Sequence, residues 1–184
     1  LDLIYVVSCM ARHPPSATLV PDTTLFRDPY VEWTCEVNPG TLTAEKARVL
    51  REAGVNRLSM GAQSFDDRTL QRLGRIHAAS QTREAVAMAR EAGFDNIGLD
   101  LIYGVPGVAR DSFCADVEAA MGLEPEHVSC YCLEIEEGTA FARAAAAGRL
   151  EVSEEAQREQ FDWARRRLAG GWAGLLLGGA GRGD

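Results

Sequence analysis

No apolar run in the chain approaches the roughly 20 residues needed to cross a bilayer as a helix. The longest near the start is Leu3–Val7, and no basic segment precedes it, so neither a membrane span nor a secretory signal is expected. Positive charge is scarce: Lys and Arg total 19 against 27 Asp and Glu, for a formal net charge of -8. That balance lacks the cationic field on which non-specific binding to nucleic-acid backbones depends, although local arginines can still meet a small anion. Cysteine is sparse and odd in number, at 9, 35, 114, 130 and 132, which argues against a disulfide framework and for reduced thiols in a cytoplasmic protein. Also missing are a Gly-x-x-x-x-Gly-Lys loop, a Gly-x-Ser-x-Gly elbow and a His-Glu-x-x-His pair, so common nucleotide-triphosphatase and hydrolase readings find no support. The first residue is Leu1, not Met, and an upstream segment is expected.

What is present suffices for one globular domain: 184 residues, 46% of them hydrophobic, at a length that buries about 70% of the unfolded surface. Residues 1–30 hold Pro14, Pro15, Pro21 and Pro29 and follow no strand or helix period, so they read as a poorly ordered leader. Residues 170–184 are glycine-rich and read as an unmatched tail.

Between these ends β-like runs alternate with helical ones. Strands are predicted at Glu32–Val37, Arg57–Met60, Ile97–Ile102 and His127–Leu133. Helices are predicted at Thr43–Ala53, Ser80–Ala92, Ala109–Met121, Ala140–Ala147 and Ser153–Leu168, with Thr43 and Ser80 as caps and Gly54 and Gly93 as stops. Arg51-Glu52-Ala53-Gly54-Val55 and Arg90-Glu91-Ala92-Gly93-Phe94 repeat one phrase 39 residues apart, which implies a repeated βα module. Parallel strands with crossover helices close into a full or partial β/α barrel; a doubly wound open sheet is the other arrangement the pattern allows.

In such barrels ligands bind at the carboxyl ends of the strands. Glu36 there precedes the Asn38-Pro39-Gly40 turn, Gln63 follows Gly61, and Arg75 follows a short helix from which it can fold back over the same face. Asp100, flanked by Leu99 and Leu101, is costly to bury unless it is bonded. Its structural alternative is a bond to nearby backbone N–H groups or to an arginine. Tyr103-Gly104-Val105-Pro106-Gly107 reads as a tight turn that lets the backbone approach a neighbour or ligand. Cys130 and Cys132 share one face of a strand and read as packed thiols rather than a metal pair; His77 and His127 read as structural.

Four phrases in order carry a resemblance: Glu36-Val37-Asn38-Pro39-Gly40, Asn56 to Asp66 with its Gly61-Ala62-Gln63-Ser64-Phe65, Leu73-Gly74-Arg75-Ile76-His77, and Asp100-Leu101-Ile102-Tyr103-Gly104-Val105-Pro106-Gly107. Together with His127 to Tyr131 and Glu136-Glu137-Gly138-Thr139, they resemble the oxygen-independent coproporphyrinogen III oxidase-like radical S-adenosylmethionine family over about residues 31–168, and its heme chaperone (HemW-type) branch more than its oxidase branch. The resemblance implies a partial radical S-adenosylmethionine barrel over 31–169. It also implies S-adenosylmethionine with a 4Fe–4S cluster as cofactors, and a role in porphyrin or heme metabolism as chaperone or in propionate decarboxylation. By the same resemblance Glu36 contacts the cluster-bound S-adenosylmethionine, while Gln63, Arg75 and Asp100 contact a second such molecule or the substrate. The family holds its cluster on C-x-x-x-C-x-x-C, a spacing the five cysteines here do not reproduce. Two further readings follow: a non-enzymatic heme or tetrapyrrole binder, and an inactive fragment.

Overall fold

The computed structural model describes residues 7–8, 32–135, 137–148, 150, 153–169 and 175–178. Six strands form one sheet: β1 (Val7–Ser8), β2 (Thr34–Val37), β3 (Arg57–Gln63), β4 (Ile97–Tyr103), β5 (His127–Cys132) and β6 (Leu175–Gly178). Six α-helices accompany them: α1 (Ala44–Ala53), α2 (Asp67–Arg72), α3 (Ala79–Glu91), α4 (Arg110–Met121), α5 (Ala140–Ala146) and α6 (Glu154–Ala169). The strands lie side by side in sequence order. β1 runs antiparallel to β2, and each of the following pairs is parallel. A doubly wound sheet reverses its strand order partway; this one never does. Because parallel crossovers share one hand, an unreversed order places the crossover helices on a single face, the arrangement of a partial β/α barrel. β1 and β6 lie within the expected leader and tail, whose remaining residues are outside those described.

The repeated phrase has a physical explanation. α1 ends on Gly54 at φ 105° and α3 is followed by Gly93 at φ 88°, both in the left-handed region that glycine takes without a Cβ clash. In each case the next residue closes the turn, Val55 N donating to Leu50 O at 3.1 Å and Phe94 N to Ala89 O at 3.0 Å. The helix arginine then folds over the exit, with Arg51 Nη1 donating to Val55 O at 3.3 Å and Arg90 Nη1 to Phe94 O at 3.2 Å. Val55 and Phe94 are thereby buried just ahead of β3 and β4.

Thr43 caps α1 as predicted, accepting from Lys46 N at 3.2 Å. Ser80 does not cap α3, which begins one residue earlier. Its entry is held instead by the Asp67 carboxylate, which accepts from Ala79 N at 2.8 Å, and by Gln81, which accepts from Ala78 N at 2.9 Å. In α1, Ala47 is buried and Leu50 half-buried, but Ala53, expected on the same stripe, is exposed at the helix end.

The core lies between the sheet and its helices. Cys35 and Val37 of β2, Leu58, Met60 and Ala62 of β3, Ile97, Leu99, Leu101 and Tyr103 of β4, and Val128 and Cys130 of β5 meet Ala85, Val86, Ala89, Phe113, Val117, Ala164 and Leu168 from the helices. Strand alternation sends the remaining side chains to the opposite, inner face. Those positions are Thr34 and Glu36, Arg57, Ser59 and Gly61, Gly98, Asp100 and Ile102, and His127, Ser129 and Tyr131.

Candidate functional site

One face of the sheet is apolar and the other is not. The register aligns Glu36 with Ser59, Ser59 with Gly98, and Gly98 with His127; the next inner row pairs Asp100 with Ser129. Gly98 leaves the middle of this surface without a side chain. Into that space leans Arg57, whose Nη2 is 3.1 Å from where a Cβ on Gly98 would stand, and which donates from Nη1 to Thr34 Oγ1 at 3.2 Å.

Asp100 is the centre of the band. Ser59 Oγ donates to its Oδ2 at 3.1 Å, and Ser129 supplies a second side-chain hydrogen bond. Burial pushes its carboxyl above the ordinary aspartate range, while the bonds to Ser129 and Ser59 and the charge of Arg57 pull the other way. The hydrogen-bond partners are serine hydroxyls, with the charge of Arg57 nearby. Glu36 stands exposed two residues from the start of β2, beside Ser59 in the register.

Gln63 ends β3 at φ 64°, and its amide folds back over Gly61, where an added Cβ would meet Nε2 at 2.6 Å. The missing side chain at Gly61 is what admits the amide to the inner face. Arg75 is exposed in the segment after α2; its backbone N–H donates to Leu70 O at 2.9 Å, and its side chain makes no hydrogen bond or ion pair with another described residue. It lies close enough to His77 to disfavour that ring's protonation. Burial chiefly lowers the His77 pKa, a hydrogen bond with Ala62 O offsets part of this, and Arg75 adds to the lowering. His77 Nε2 is 3.3 Å from Ala62 O, and its Cβ is 3.1 Å from the Cβ position of Gly40. The Arg75–His77 segment thus sits against the ends of β2 and β3. Of the four predicted residues, the structure gathers Glu36, Gln63 and Asp100 on one face and leaves Arg75 at its rim.

The turn after β4 approaches protein. Gly104, at φ 74°, donates its N–H to Gln160 Oε1 of α6 at 2.8 Å, and a Cβ there would stand 2.8 Å from Gln157 Cγ. Arg72 donates to Pro106 O at 3.2 Å. A cavity of about 380 Å³ opens beside this turn, between Tyr103, Cys132, Glu134, Arg158 and Phe161. It lies on the helix side of the sheet, where Tyr103 packs on Phe113 and Phe161. None of the four predicted residues lines it.

Ser59, Ser129, Ser64 and Asp116 were not among the predicted site residues. A legible signal existed for Asp116 alone: an acid on a buried helix stripe with Phe113, Val117 and Ala120. The serines are ordinary strand and turn residues until the register pairs them.

A singly wound β/α sheet with one apolar and one polar face is the architecture of a partial β/α barrel. The Radical SAM superfamily matches residues 10–120. The chain belongs to that superfamily. Heme chaperone HemW of Bacillus subtilis (strain 168) is 40% identical over 129 residues, which cover 70% of this chain and 34% of the relative. Heme chaperone HemW of Haemophilus influenzae (strain ATCC 51907 / DSM 11121 / KW20 / Rd) is 45% identical over 112 residues, or 61% of this chain and 29% of the relative. Among solved structures, coproporphyrinogen III oxidase (HemN) from Escherichia coli superposes with a TM-score of 0.65 at 25% identity, covering 78% of this chain and 33% of that one. The chain thus spans about a third of the length of the relatives it matches.

Membership implies S-adenosylmethionine and a 4Fe–4S cluster as the superfamily's cofactors. Among the described residues, no group of three or more His, Cys, Asp or Glu side chains could hold a metal ion. Cys35 and Cys130 are buried in the core, facing the helices. Burial pushes the Cys130 thiol up to about 12 and raises Cys35, Cys114 and Cys132 as well. Cys9 lies outside the described residues. The four described cysteines belong to no such group. No described helix is long and apolar enough to cross a membrane.

Proposed function

We propose that residues 31–169 are the S-adenosylmethionine-binding part of a cytoplasmic protein of heme metabolism, of the heme chaperone kind. The observation that carries this reading is the 40–45% identity to two HemW heme chaperones across most of the strand–helix region. The inner face supports it chemically. S-adenosylmethionine presents an amino group, ribose hydroxyls and a carboxylate. Glu36 and Asp100 are acceptors for the first two, the Gln63 amide both donates and accepts, and Arg75 at the rim suits the carboxylate. When bound, such a sulfonium is the family's source of a 5′-deoxyadenosyl radical. The likeness to coproporphyrinogen III oxidase favours a second reading, decarboxylation of a porphyrinogen.

Hemin titration separates the two. A chaperone shifts the Soret band saturably at near-stoichiometric hemin and leaves coproporphyrinogen III intact, whereas porphyrinogen turnover without such a shift would sink the chaperone reading in favour of the oxidase. The binding face has its own test at Gly61. A methyl there strikes only the end of the flexible Gln63 side chain, so Gly61→Ala is expected to cost under about 1 kcal/mol of stability. It displaces the amide, and affinity for S-adenosylmethionine is expected to fall about tenfold, matching Gln63→Ala. Calorimetry showing full affinity in both variants would remove Gln63 from the site.

A further inference from the structure

Gln63 carries a backbone conformation that glutamine adopts at a cost. Its φ of 64° lies in the left-handed region, and Ser64 N donates across it to Ala62 O at 2.8 Å. An i to i+2 bond around a residue of positive φ is the strained form of the γ-turn, which persists only where the surroundings over-determine it. Besides the pairing of Gln63 with Leu101 and the contact of His77 with Ala62 O, one carboxylate holds the turn. Asp116, on α4 and 52 residues further along the chain, accepts from Ser64 Oγ at 2.6 Å through Oδ2, and through Oδ1 it accepts from Phe65 N at 2.6 Å. Ser64 Oγ in turn accepts from Asp66 N at 3.1 Å, joining the turn to the start of α2.

Asp116 is 3% exposed and Ser64 0%. Burial raises the Asp116 pKa, against the pull of the Ser64 and Phe65 bonds. On the stripe shared with Phe113, Val117 and Ala120 an apolar residue would pack without that desolvation cost. Helix packing therefore does not account for an acid at 116; the turn does. Both donors it holds belong to the two residues immediately after Gln63, whose amide lies back over Gly61.

We infer that Asp116 is a positioning residue: through Ser64 and Phe65 it locks the turn that directs the Gln63 amide onto the inner face. The inference rests on the reading of Gln63 as a contact to S-adenosylmethionine, and two readouts keep the two apart. The first needs no ligand. In the chain labelled with ¹⁵N-glutamine, the Gln63 side-chain amide pair is identified by its loss in Gln63→Ala. It is expected to be sharp and well separated from the exposed glutamines, and to collapse onto them in Asp116→Ala and Ser64→Ala. Asp116→Asn, which can accept from Phe65 N and donate to Ser64 Oγ, should retain it. An unmoved pair in Ser64→Ala, the milder variant and the one expected to stay folded, would overturn the inference. The second readout is a binding cycle. Ser64→Ala should weaken S-adenosylmethionine about tenfold in the parent chain and add nothing in the Gln63→Ala background. Losses that add would overturn a role exerted through Gln63. Unchanged binding in Gln63→Ala would remove the ligand reading alone, with the amide resonance still deciding for or against the lock.

Discussion

Asp100→Asn is expected to weaken S-adenosylmethionine about 10- to 150-fold while raising thermal stability at neutral pH. The first effect follows from losing a charged acceptor, which is worth about 1.5–3 kcal/mol in a hydrogen bond. The second follows from linkage. Burial lifts the folded-state pKa above the reference value of 3.8, so the folded chain holds this proton more tightly than the unfolded chain does. The stability Asp100 contributes is fully present below that reference value and is lost as pH rises through the folded pKa. Above that window the ionised carboxylate is a burden that the neutral amide lifts, and the variant's melting temperature should overtake the parent's as pH increases. Opposite signs for stability and binding are the mark of a residue kept for a ligand. A variant that loses stability at neutral pH and binds normally would make Asp100 a purely structural acid.

Phe113→Ala should give the largest loss of stability, about 3–5 kcal/mol, out of the roughly 5–15 kcal/mol that a domain holds in total. Phe113 is 1% exposed and its ring stands 5.8 Å from that of Tyr103, which also packs on Phe161 at 6.3 Å. That cluster joins β4, α4 and α6. Removing the Phe113 ring leaves a cavity between α4 and the Tyr103 ring. Urea denaturation should show the midpoint falling at constant slope; a shift equivalent to under about 1 kcal/mol would mean that α4 is not docked as described. The comparison with Asp116→Asn is informative, since the two positions share a stripe. Phe113→Ala is expected to lower the urea midpoint strongly and Asp116→Asn to leave it close to the parent's.

The parts of this structure that were legible in the sequence are those set by local chemistry. Thr43 and Gly54 bound α1 because a hydroxyl satisfies free N–H groups and a residue without Cβ turns left-handed. Alternation in β2 and β4 placed Glu36 and Asp100 on the face opposite Cys35 and Leu99. What escaped is set across the chain. Ser80 looks like a cap, but α3 starts before it, where Asp67 accepts from Ala79 N from another helix. β3 continues beyond Met60 to Gln63, through a bulge and a positive φ that no propensity favours at glutamine, because Asp116 holds the turn from 51 residues past Phe65.

The most direct measurement is an amide-resonance titration of the ¹⁵N-labelled chain with S-adenosylmethionine, a probe sensitive even to weak binding. Saturable shifts concentrated at Glu36, Ser59, Gly61, Gln63 and Asp100, and abolished by Asp100→Asn, are the predicted result. Shifts confined to Tyr103, Glu134 and Arg158 around the outer cavity, or no shifts at all, would contradict it.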